Sequence, residues 1–412
     1  MSKLELSDYF NTYRVRKNIE AIQQKNPIVS DIVDEKGHQY VNLVLEGGGF
    51  LGIALIGYVY ALEQANIRFL NVAGTSAGAV TAAFVATADY PAEPKSEKVL
   101  DIYHRSNFLD FLDDGEDTED NDVRAFIQSM LSDEKGFFSS ISKGIKFLKV
   151  LDNLKNHNGL VAGFSIHNWI SQTLASYGVT TIEEVHKKMN QLPPLKTRSG
   201  EVLDIEARLA IITTELTTRT KVEFPRMASL FYKHPEQINP ADFIRASLSV
   251  PLLFTPFKIP LDNTQDTIEK WRAMAQFNGH RLPKEAVFLD GALMSNFPID
   301  AFHNDPCSEY CPSFGVKLGF DRNEYLEVNN ILDILNCSLD ASINLRDFEF
   351  LRDNPEYQGT VGYIDTKQHS WINFEVADEE KMDLFCVGVE GAKDFLLNFD
   401  WERQKKLKKK HR

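Results

Sequence analysis

The segment Gly74-Thr75-Ser76-Ala77-Gly78 contains the side chain best suited to covalent chemistry in this sequence. An apolar run that predicts a buried strand, 69–73, precedes it, and a small-residue apolar run that predicts a helix, 77–87, follows it. A G-x-S-x-G segment at such a junction forms a sharp turn that lifts the serine hydroxyl above the sheet. The flanking glycines relieve backbone crowding, and the helix N-terminus directs free N–H groups toward the serine. Ser76 is therefore a candidate nucleophile, with a purely structural turn or helix cap as the alternative.

A second glycine-rich segment, Gly47-Gly48-Gly49-Phe50-Leu51-Gly52, also follows a predicted strand, 41–45. Its backbone N–H groups are unshielded by side chains, as an oxyanion hole requires. The same string satisfies the dinucleotide pattern G-x-G-x-x-G, which expects a ribose-binding acid at the end of the next strand. That strand ends at the Ser76 turn instead, so the sequence favours an oxyanion loop over a dinucleotide site or a structural turn.

Asp290 is the strongest candidate for the proton acceptor that a nucleophilic serine needs. It ends a predicted strand, 286–289, and precedes Gly291, so we expect it to meet Ser76 at one edge of the sheet. His303 could complete a triad, but it lacks a local motif and a structural role is favoured. Other acids near strand ends are better explained as surface or capping residues: Glu46, Glu215, Asp300 and Asp321. The histidine and cysteine spacings predict no metal site, and no cofactor is expected.

Two strand-glycine-helix units in succession predict an α/β fold with a mainly parallel sheet. Further strands are predicted over 205–214, 220–225, 286–289 and 313–318, a short one at 363–364, and helices over 329–351 and 378–399. The chain then divides into a polar leader, a single catalytic domain and a basic tail, at 1–38, 39–400 and 401–412. Within that domain we expect a helical insertion at about 91–200, including a solvated acidic loop over 110–122, and a helical part at about 323–400.

Composition and charge restrict the classes of partner. The chain has 45 basic and 59 acidic residues and a net charge of −14, which argues against general nucleic-acid binding. Four cysteines and the lack of an apolar signal segment suggest a cytoplasmic protein, and no run suits a membrane span. The tail from Trp401 carries seven basic residues against one acid. It either attracts an anionic bilayer, giving peripheral membrane association, or is a disordered, solubilising end.

Together these motifs resemble one family, the patatin-like phospholipases. The matching segments are 47–52 for the oxyanion loop, 74–78 for the nucleophile turn and Asp290-Gly291-Ala292 for the catalytic aspartate. Two further stretches, 211–224 and 245–256, are similar to segments that pack near the site in that family. The resemblance implies a three-layer α/β/α fold and a Ser-Asp dyad that cleaves acyl esters of membrane phospholipids.

Carried over to this sequence, the resemblance implies a role for each motif residue. Ser76 is the nucleophile and Asp290 the proton acceptor, and the acyl-enzyme is cleaved by water. The oxyanion hole comprises Gly47, Gly48, Gly49 and Ala77, and the other motif glycines are Gly52, Gly74, Gly78 and Gly291. The chain departs from the family pattern at Leu51, where many members have Arg or Lys, and in the long stretch after the nucleophile helix, interpreted as a lid.

Two alternatives to a constitutive phospholipase stay open at this stage. One is an α/β-hydrolase esterase with a Ser-Asp-His triad. The other is a latent effector on a patatin scaffold, activated by a protein partner or small molecule at the helical insertion.

Overall fold

The computed structural model describes residues 4–112, 159–319, 325, 328–329, 331–369 and 376–411. Its helices are α1 (Leu6–Asn11), α2 (Tyr13–Lys25), α3 (Gly52–Gln64), α4 (Ala77–Thr87), α5 (Ser96–Arg105), α6 (Phe164–Ser176), α7 (Ile182–Met189), α8 (Pro240–Ser247), α9 (Gln265–Ala275), α10 (Ile331–Asp353), α11 (Asp378–Asn398) and α12 (Trp401–His411). Its strands are β1 (Ile32–Val33), β2 (Gln39–Leu45), β3 (Ile67–Thr75), β4 (Gly159–Val161), β5 (Leu195–Thr197), β6 (Val202–Leu203), β7 (Leu209–Glu215), β8 (Thr220–Phe224), β9 (Leu252–Phe254), β10 (Phe257–Pro260), β11 (Glu285–Leu289), β12 (Ser313–Leu318) and β13 (Val361–Ile364). The acidic loop predicted over 110–122 lies outside the described residues beyond residue 112.

A mixed sheet positions the chain's functional segments. Among the described residues it has eleven strands, and its centre, β13-β12-β2-β3-β7, is parallel throughout. Strands β2 and β3 are buried along their whole length, which explains their nearly continuous apolar sequence. Antiparallel strands extend the sheet beyond this centre, and β4 and β9 form a separate parallel pair.

Strand β7 determines how the two catalytic candidates meet. Thr75 at the end of β3 pairs with Ile212 of β7, and Leu289 at the end of β11 pairs with Thr214 of the same strand. Because β8 covers the other side of β7, both β3 and β11 lie along one side of it. They run in opposite directions, since β3 is parallel and β11 antiparallel to β7. The two strands thus end facing each other, rather than side by side at one edge as the sequence suggested.

Alternation along the strands produces a core on each face of the sheet. Leu43 and Leu45 face the larger core, to which α3, α4 and α11 contribute, whereas Val44 between them faces a smaller cluster. That smaller cluster contains Phe297 and Leu351, the latter from α10. Helices therefore cover both faces, and the predicted three-layer α/β/α architecture is confirmed.

Both ends of the chain pack on the sheet domain. In the predicted leader, Tyr9 and Val15 are buried, and Arg14 forms ion pairs with Glu390 and Asp383 of α11. At the other end, the tail is helical through residue 411. None of the helices in the described part of the chain is long and apolar enough to cross a membrane.

The tail helix α12 lies at the end of the sheet where the parallel strands begin. Trp401 is buried, and Lys408 donates to the carbonyls of Ser308 and Cys311 in the segment that leads into β12. Lys405 pairs with Asp31. Since Ser76 follows the carboxyl end of β3, the tail and Ser76 are at opposite ends of the parallel strands.

Candidate active site

The turn between β3 and α4 holds Ser76 in a backbone conformation that is unusual for a residue with a side chain, with φ 53° and ψ −124°. Such a conformation costs about 1–3 kcal/mol and persists only where the surroundings enforce it. The enforcing contact is Ser247, whose Oγ accepts a hydrogen bond from the Ser76 amide at 2.8 Å and donates one to the Ile212 carbonyl at 2.6 Å. Ser247 belongs to the stretch 245–256 noted in the sequence, but nothing in the sequence indicated this particular contact.

The glycines flanking Ser76 are required because backbones approach closely on both sides of the turn. A Cβ added at Gly74 would lie 2.2 Å from the carbonyl oxygen of Gly78. A Cβ at Gly78 would lie 2.5 Å from the carbonyl oxygens of Leu45 and Glu46, at the end of β2. The predicted reason for the G-x-S-x-G spacing is confirmed, and the turn is also pressed against the start of the glycine loop.

The structure brings Ser76 and Asp290 into direct contact. The Ser76 hydroxyl donates a hydrogen bond of 2.6 Å to Oδ2 of Asp290, and both residues are buried. The Ala292 amide donates to the other carboxylate oxygen at 2.8 Å, and the Asp290 amide donates to the Ser249 carbonyl at 2.9 Å. Three hydrogen bonds therefore fix the orientation of Asp290, and one carboxylate oxygen is reserved for the serine hydroxyl.

Burial raises the pKa of Asp290 to about 6, an effect that the hydrogen bonds from Ser76 and the Ala292 amide partly oppose. A carboxylate in this range is ionised at neutral pH and is more basic than an exposed one. It is thus better matched to accepting a proton from a hydroxyl.

The glycine loop lies against this pair. Its amides differ in whether they already donate a hydrogen bond to a protein acceptor. The Gly47 amide donates to the Asn296 carbonyl at 3.0 Å. In the described part of the chain, the amides of Gly48, Gly49 and Ala77 donate to no protein acceptor. Gly47 must therefore be removed from the predicted set of oxyanion donors, because its N–H is already used to hold the loop.

Each remaining glycine of the motifs meets a different constraint. Gly49 has a φ of 54°, the left-handed region that favours glycine. A Cβ at Gly52 would lie 3.0 Å from the Tyr103 hydroxyl, and one at Gly291 would lie 2.2 Å from the Ile212 carbonyl oxygen. The buried Leu51 occupies the position where the family often has a cation.

The hydrogen bond that the structure shows for the His303 ring involves neither residue of this pair. Its Nδ1 lies 3.0 Å from the Tyr357 hydroxyl, and its ring packs on Phe350 beside the smaller core. Among the described residues, no histidine is hydrogen-bonded to Ser76 or Asp290. The described part of the chain also contains no cluster of His, Cys, Asp or Glu suited to a metal ion.

The other acids considered from the sequence have structural partners. Glu46 pairs with Lys317 and accepts from the Leu318 amide, and both side chains of the pair are buried. Glu215 accepts from the amides of residues 217 and 218 in the β7–β8 turn, and Asp300 pairs with Lys221. Asp321 lies outside the described residues.

An apolar pocket opens directly above Ser76. Gly49 and Ala77 line it beside the serine, so the available amides and the hydroxyl border the same space. Its walls come mainly from α4, α5, α6 and the β9 region and are rich in aromatic side chains: Phe50, Tyr103, Phe108, Phe111, Trp169 and Phe254. The Tyr103 hydroxyl is satisfied by Thr81 at 2.8 Å, which leaves the pocket surface essentially apolar.

Comparison with known sequences agrees with this geometry. The sequence profile of the patatin-like phospholipases matches residues 43–303, which include the glycine loop, Ser76 and Asp290. The chain belongs to the patatin-like phospholipase family. Membership in this lipid-hydrolase family identifies lipids as the general class of substrate.

Individual proteins resemble this patatin-like chain at low sequence identity. The uncharacterized protein YqhO of Bacillus subtilis is 23% identical over 359 residues, which cover 87% of this chain and 98% of YqhO. VipD from Legionella pneumophila has a similar structure with a TM-score of 0.41 and 17% identity, over 90% of this chain and 70% of VipD. The type III effector ExoU matches with a TM-score of 0.35 and 13% identity, over 91% of this chain and 55% of ExoU.

Proposed function

We propose that this protein is a phospholipase A-type acyl hydrolase that works through a Ser76-Asp290 dyad. The observation that carries the proposal is the 2.6 Å hydrogen bond between the Ser76 hydroxyl and the buried carboxylate of Asp290, at the base of an apolar pocket. A hydroxyl paired with a general base is the arrangement that nucleophilic catalysis requires.

In the first step, Ser76 Oγ attacks the carbonyl carbon of a fatty acyl ester while its proton passes to Oδ2 of Asp290. The tetrahedral intermediate collapses, the alcohol leaves with a proton from Asp290, and the acyl group stays on Ser76. Water, deprotonated by Asp290, then attacks the acyl-enzyme and releases the fatty acid. One carboxylate is sufficient for both steps because each proton that it accepts is returned to a leaving oxygen.

The amides of Gly48, Gly49 and Ala77 are the proposed donors to the oxyanion of the tetrahedral intermediate. They have no protein acceptor in the described residues, and Gly49 and Ala77 line the pocket beside Ser76. Losing one such donor typically lowers the rate by about 10²–10³-fold. Neutral amides can supply this stabilisation without the cation that Leu51 replaces.

The aromatic walls of the pocket support a fatty acyl chain as the group that is transferred. An apolar chain buried there gains roughly 0.8 kcal/mol for each CH₂ removed from water. This gain favours long-chain lipid esters over short, water-soluble esters.

Substitution of the dyad tests the proposal. Ser76→Ala and Asp290→Asn should each lower hydrolysis of phospholipid vesicles and of p-nitrophenyl esters by about 10⁴-fold or more. A fluorophosphonate probe should label wild-type protein at Ser76 and leave Ser76→Ala unlabelled. His303→Ala is the matched control and should retain activity. Full activity of Ser76→Ala would refute the proposal, and loss of activity in His303→Ala would support a Ser-Asp-His triad.

The same probe separates a constitutive enzyme from the latent effector. Labelling of the pure protein at Ser76 is expected for a constitutive enzyme. Labelling only after a cell lysate is added would support activation by a partner or small molecule.

The basic tail is poorly placed to bring a membrane to the proposed site. Trp401 is buried, and α12 lies at the end of the parallel strands opposite Ser76. A bilayer bound by the exposed basic face of α12 would therefore lie away from the pocket above Ser76.

A further inference from the structure

Asp347 is a buried carboxylate to which the proposed reaction gives no part. It lies on α10, with only 5% of its surface exposed. Its Oδ1 accepts a hydrogen bond of 2.8 Å from the Ser295 hydroxyl, and its Oδ2 accepts one of 2.6 Å from the Phe297 amide. Burying a carboxylate is costly unless its oxygens find such donors. Both of its oxygens hold one short segment, 295–297, which follows the Asp290 strand.

The segment 295–297 contacts both turns of the site. The Thr75 hydroxyl donates to the Ser295 carbonyl at 2.9 Å. The Gly47 amide donates to the Asn296 carbonyl at 3.0 Å, and the Asn296 side-chain amide donates back to the Gly47 carbonyl at 3.3 Å. Thr75 directly precedes Ser76, and Gly47 directly precedes Gly48, so each held residue adjoins one that takes part in the proposed reaction.

We propose that Asp347 is a positioning residue for the acyl transfer. By fixing 295–297, it sets the position of the Gly48 and Gly49 amides relative to the Ser76 hydroxyl. The inference rests on the proposed function. A displacement of about 1 Å between reacting groups can cost about 10²-fold in rate, so a support of this kind affects turnover.

The support reaches the pocket only at the Gly49 and Ser76 end, not along the aromatic walls that would bind the acyl chain. The apolar pocket is built mainly by α4, α5, α6 and the β9 region, none of which contacts Asp347 through the hydrogen bonds described above. Loss of Asp347 should therefore affect kcat rather than KM. A residue needed only for general stability would lower the amount of folded enzyme and leave the kcat of the folded fraction unchanged.

Asp347→Asn is the primary test, because it preserves volume and replaces one acceptor oxygen with an NH₂ group that cannot accept. We expect kcat to fall by about 10–10²-fold, with KM within about threefold of wild type. The affinity for an acyl trifluoromethyl ketone, which forms an oxyanion on Ser76, should fall in parallel, whereas a fatty alcohol should bind as before. Glu349→Gln, an exposed carboxylate on the same helix, is the matched control and should behave as wild type.

A readout independent of turnover keeps this test separate from the proposed function. In Asp347→Asn, the Gly47 amide, which donates to the Asn296 carbonyl, should exchange with solvent at least about tenfold faster, even if wild-type protein hydrolyses no ester. If Asp347→Asn fails to fold, Ser295→Ala and Thr75→Val can be used instead, because each removes one side-chain hydrogen bond of the same network. Each should lower kcat by less than the roughly 10–10²-fold expected for Asp347→Asn. Unchanged kcat and unchanged exchange in a folded Asp347→Asn protein would overturn the inference, as would a change in KM alone. If wild type shows neither labelling nor hydrolysis, both with and without added cell lysate, the proposed function is refuted instead.

Discussion

The two glycine-rich turns that meet at Ser76 use glycine for different physical reasons. In the nucleophile turn, the constraint is distance between backbones, since Cβ atoms at Gly74 and Gly78 would lie 2.2 and 2.5 Å from carbonyl oxygens. In the oxyanion loop, a Cβ added at Gly48 would meet only the end of a flexible side chain, that of Leu318. Gly49 has a φ of 54°, which favours glycine. The first turn is thus rigidly specified by packing. The second is specified by the direction in which its amides must point.

This comparison predicts that the nucleophile turn is the less tolerant of the two. Gly78→Ala should have the largest effect, because the carbonyls of Leu45 and Glu46 cannot move without shifting the end of β2. We expect it to lower the free energy of unfolding by about 3 kcal/mol and to abolish activity. Chemical denaturation and probe labelling of the soluble fraction would measure both. A Gly78→Ala protein with wild-type stability would show that the crowding is relieved at no cost.

Gly49→Ala should affect catalysis more than stability. The left-handed conformation costs an alanine about 1–2 kcal/mol, and any relaxation of the loop redirects the Gly49 amide. We expect kcat to fall by about 10²-fold while the protein remains folded. The matched control is Gly178→Ala, which also has a positive φ, of 75°, and has open space around it. It should show a similar loss of stability and normal kcat, and equal kcat values for the two variants would contradict the amide-direction argument.

The pH dependence tests Asp290, the proposed base for the nucleophile turn, without a mutation. The pKa of Asp290 is raised to about 6 by burial, and the protonated carboxyl cannot accept the Ser76 proton. Activity should therefore be constant above about pH 7 and fall about tenfold for each pH unit below 6, because the ionised fraction falls in that proportion. The kcat/KM profile measures this for the free enzyme. A midpoint near 4 would indicate that Asp290 is not the base, or that water reaches it freely.

Gly48→Ala should have the smallest effect of the three substitutions in these turns. The added methyl group meets Cδ1 of Leu318, and a leucine side chain can change rotamer to make room. We expect a loss of no more than a few-fold in kcat. The double variant Gly48→Ala/Leu318→Ala should recover that loss, which a double-mutant cycle would measure. A loss as large as that of Gly49→Ala would mean that the oxyanion loop is as tightly packed as the nucleophile turn.

Much of the fold could be predicted because the relevant signals are local. The strand predicted at 313–318 and the helix predicted at 77–87 are found with those bounds, and α11, predicted over 378–399, ends one residue earlier. Continuous apolar runs closed by glycine indicate buried parallel strands, and these runs are frequent in the first hundred residues. The chain ends were harder to predict. Whether a polar helix packs depends on its partner, as Arg14 depends on Glu390.

The site was predictable only in its motif residues. Ser76, Asp290 and the glycines are marked by residue type and by position after a strand. Ser247, Asn296 and Asp347 have no such mark, because serine, asparagine and aspartate are common at helix ends and in loops. Their importance comes from hydrogen bonds between residues that are far apart in the sequence, such as the 2.8 Å contact of the Ser76 amide with Ser247.

The sequence by itself determined which residues could react, because reactivity depends on functional groups and on turns that a few neighbouring residues encode. It also determined that the fold is α/β. Only the tertiary structure decided that β3 and β11 end facing each other on β7, that the Gly47 amide is used by Asn296, and that the basic tail lies away from Ser76. Those outcomes depend on long-range strand pairing and side-chain packing, which no local pattern specifies.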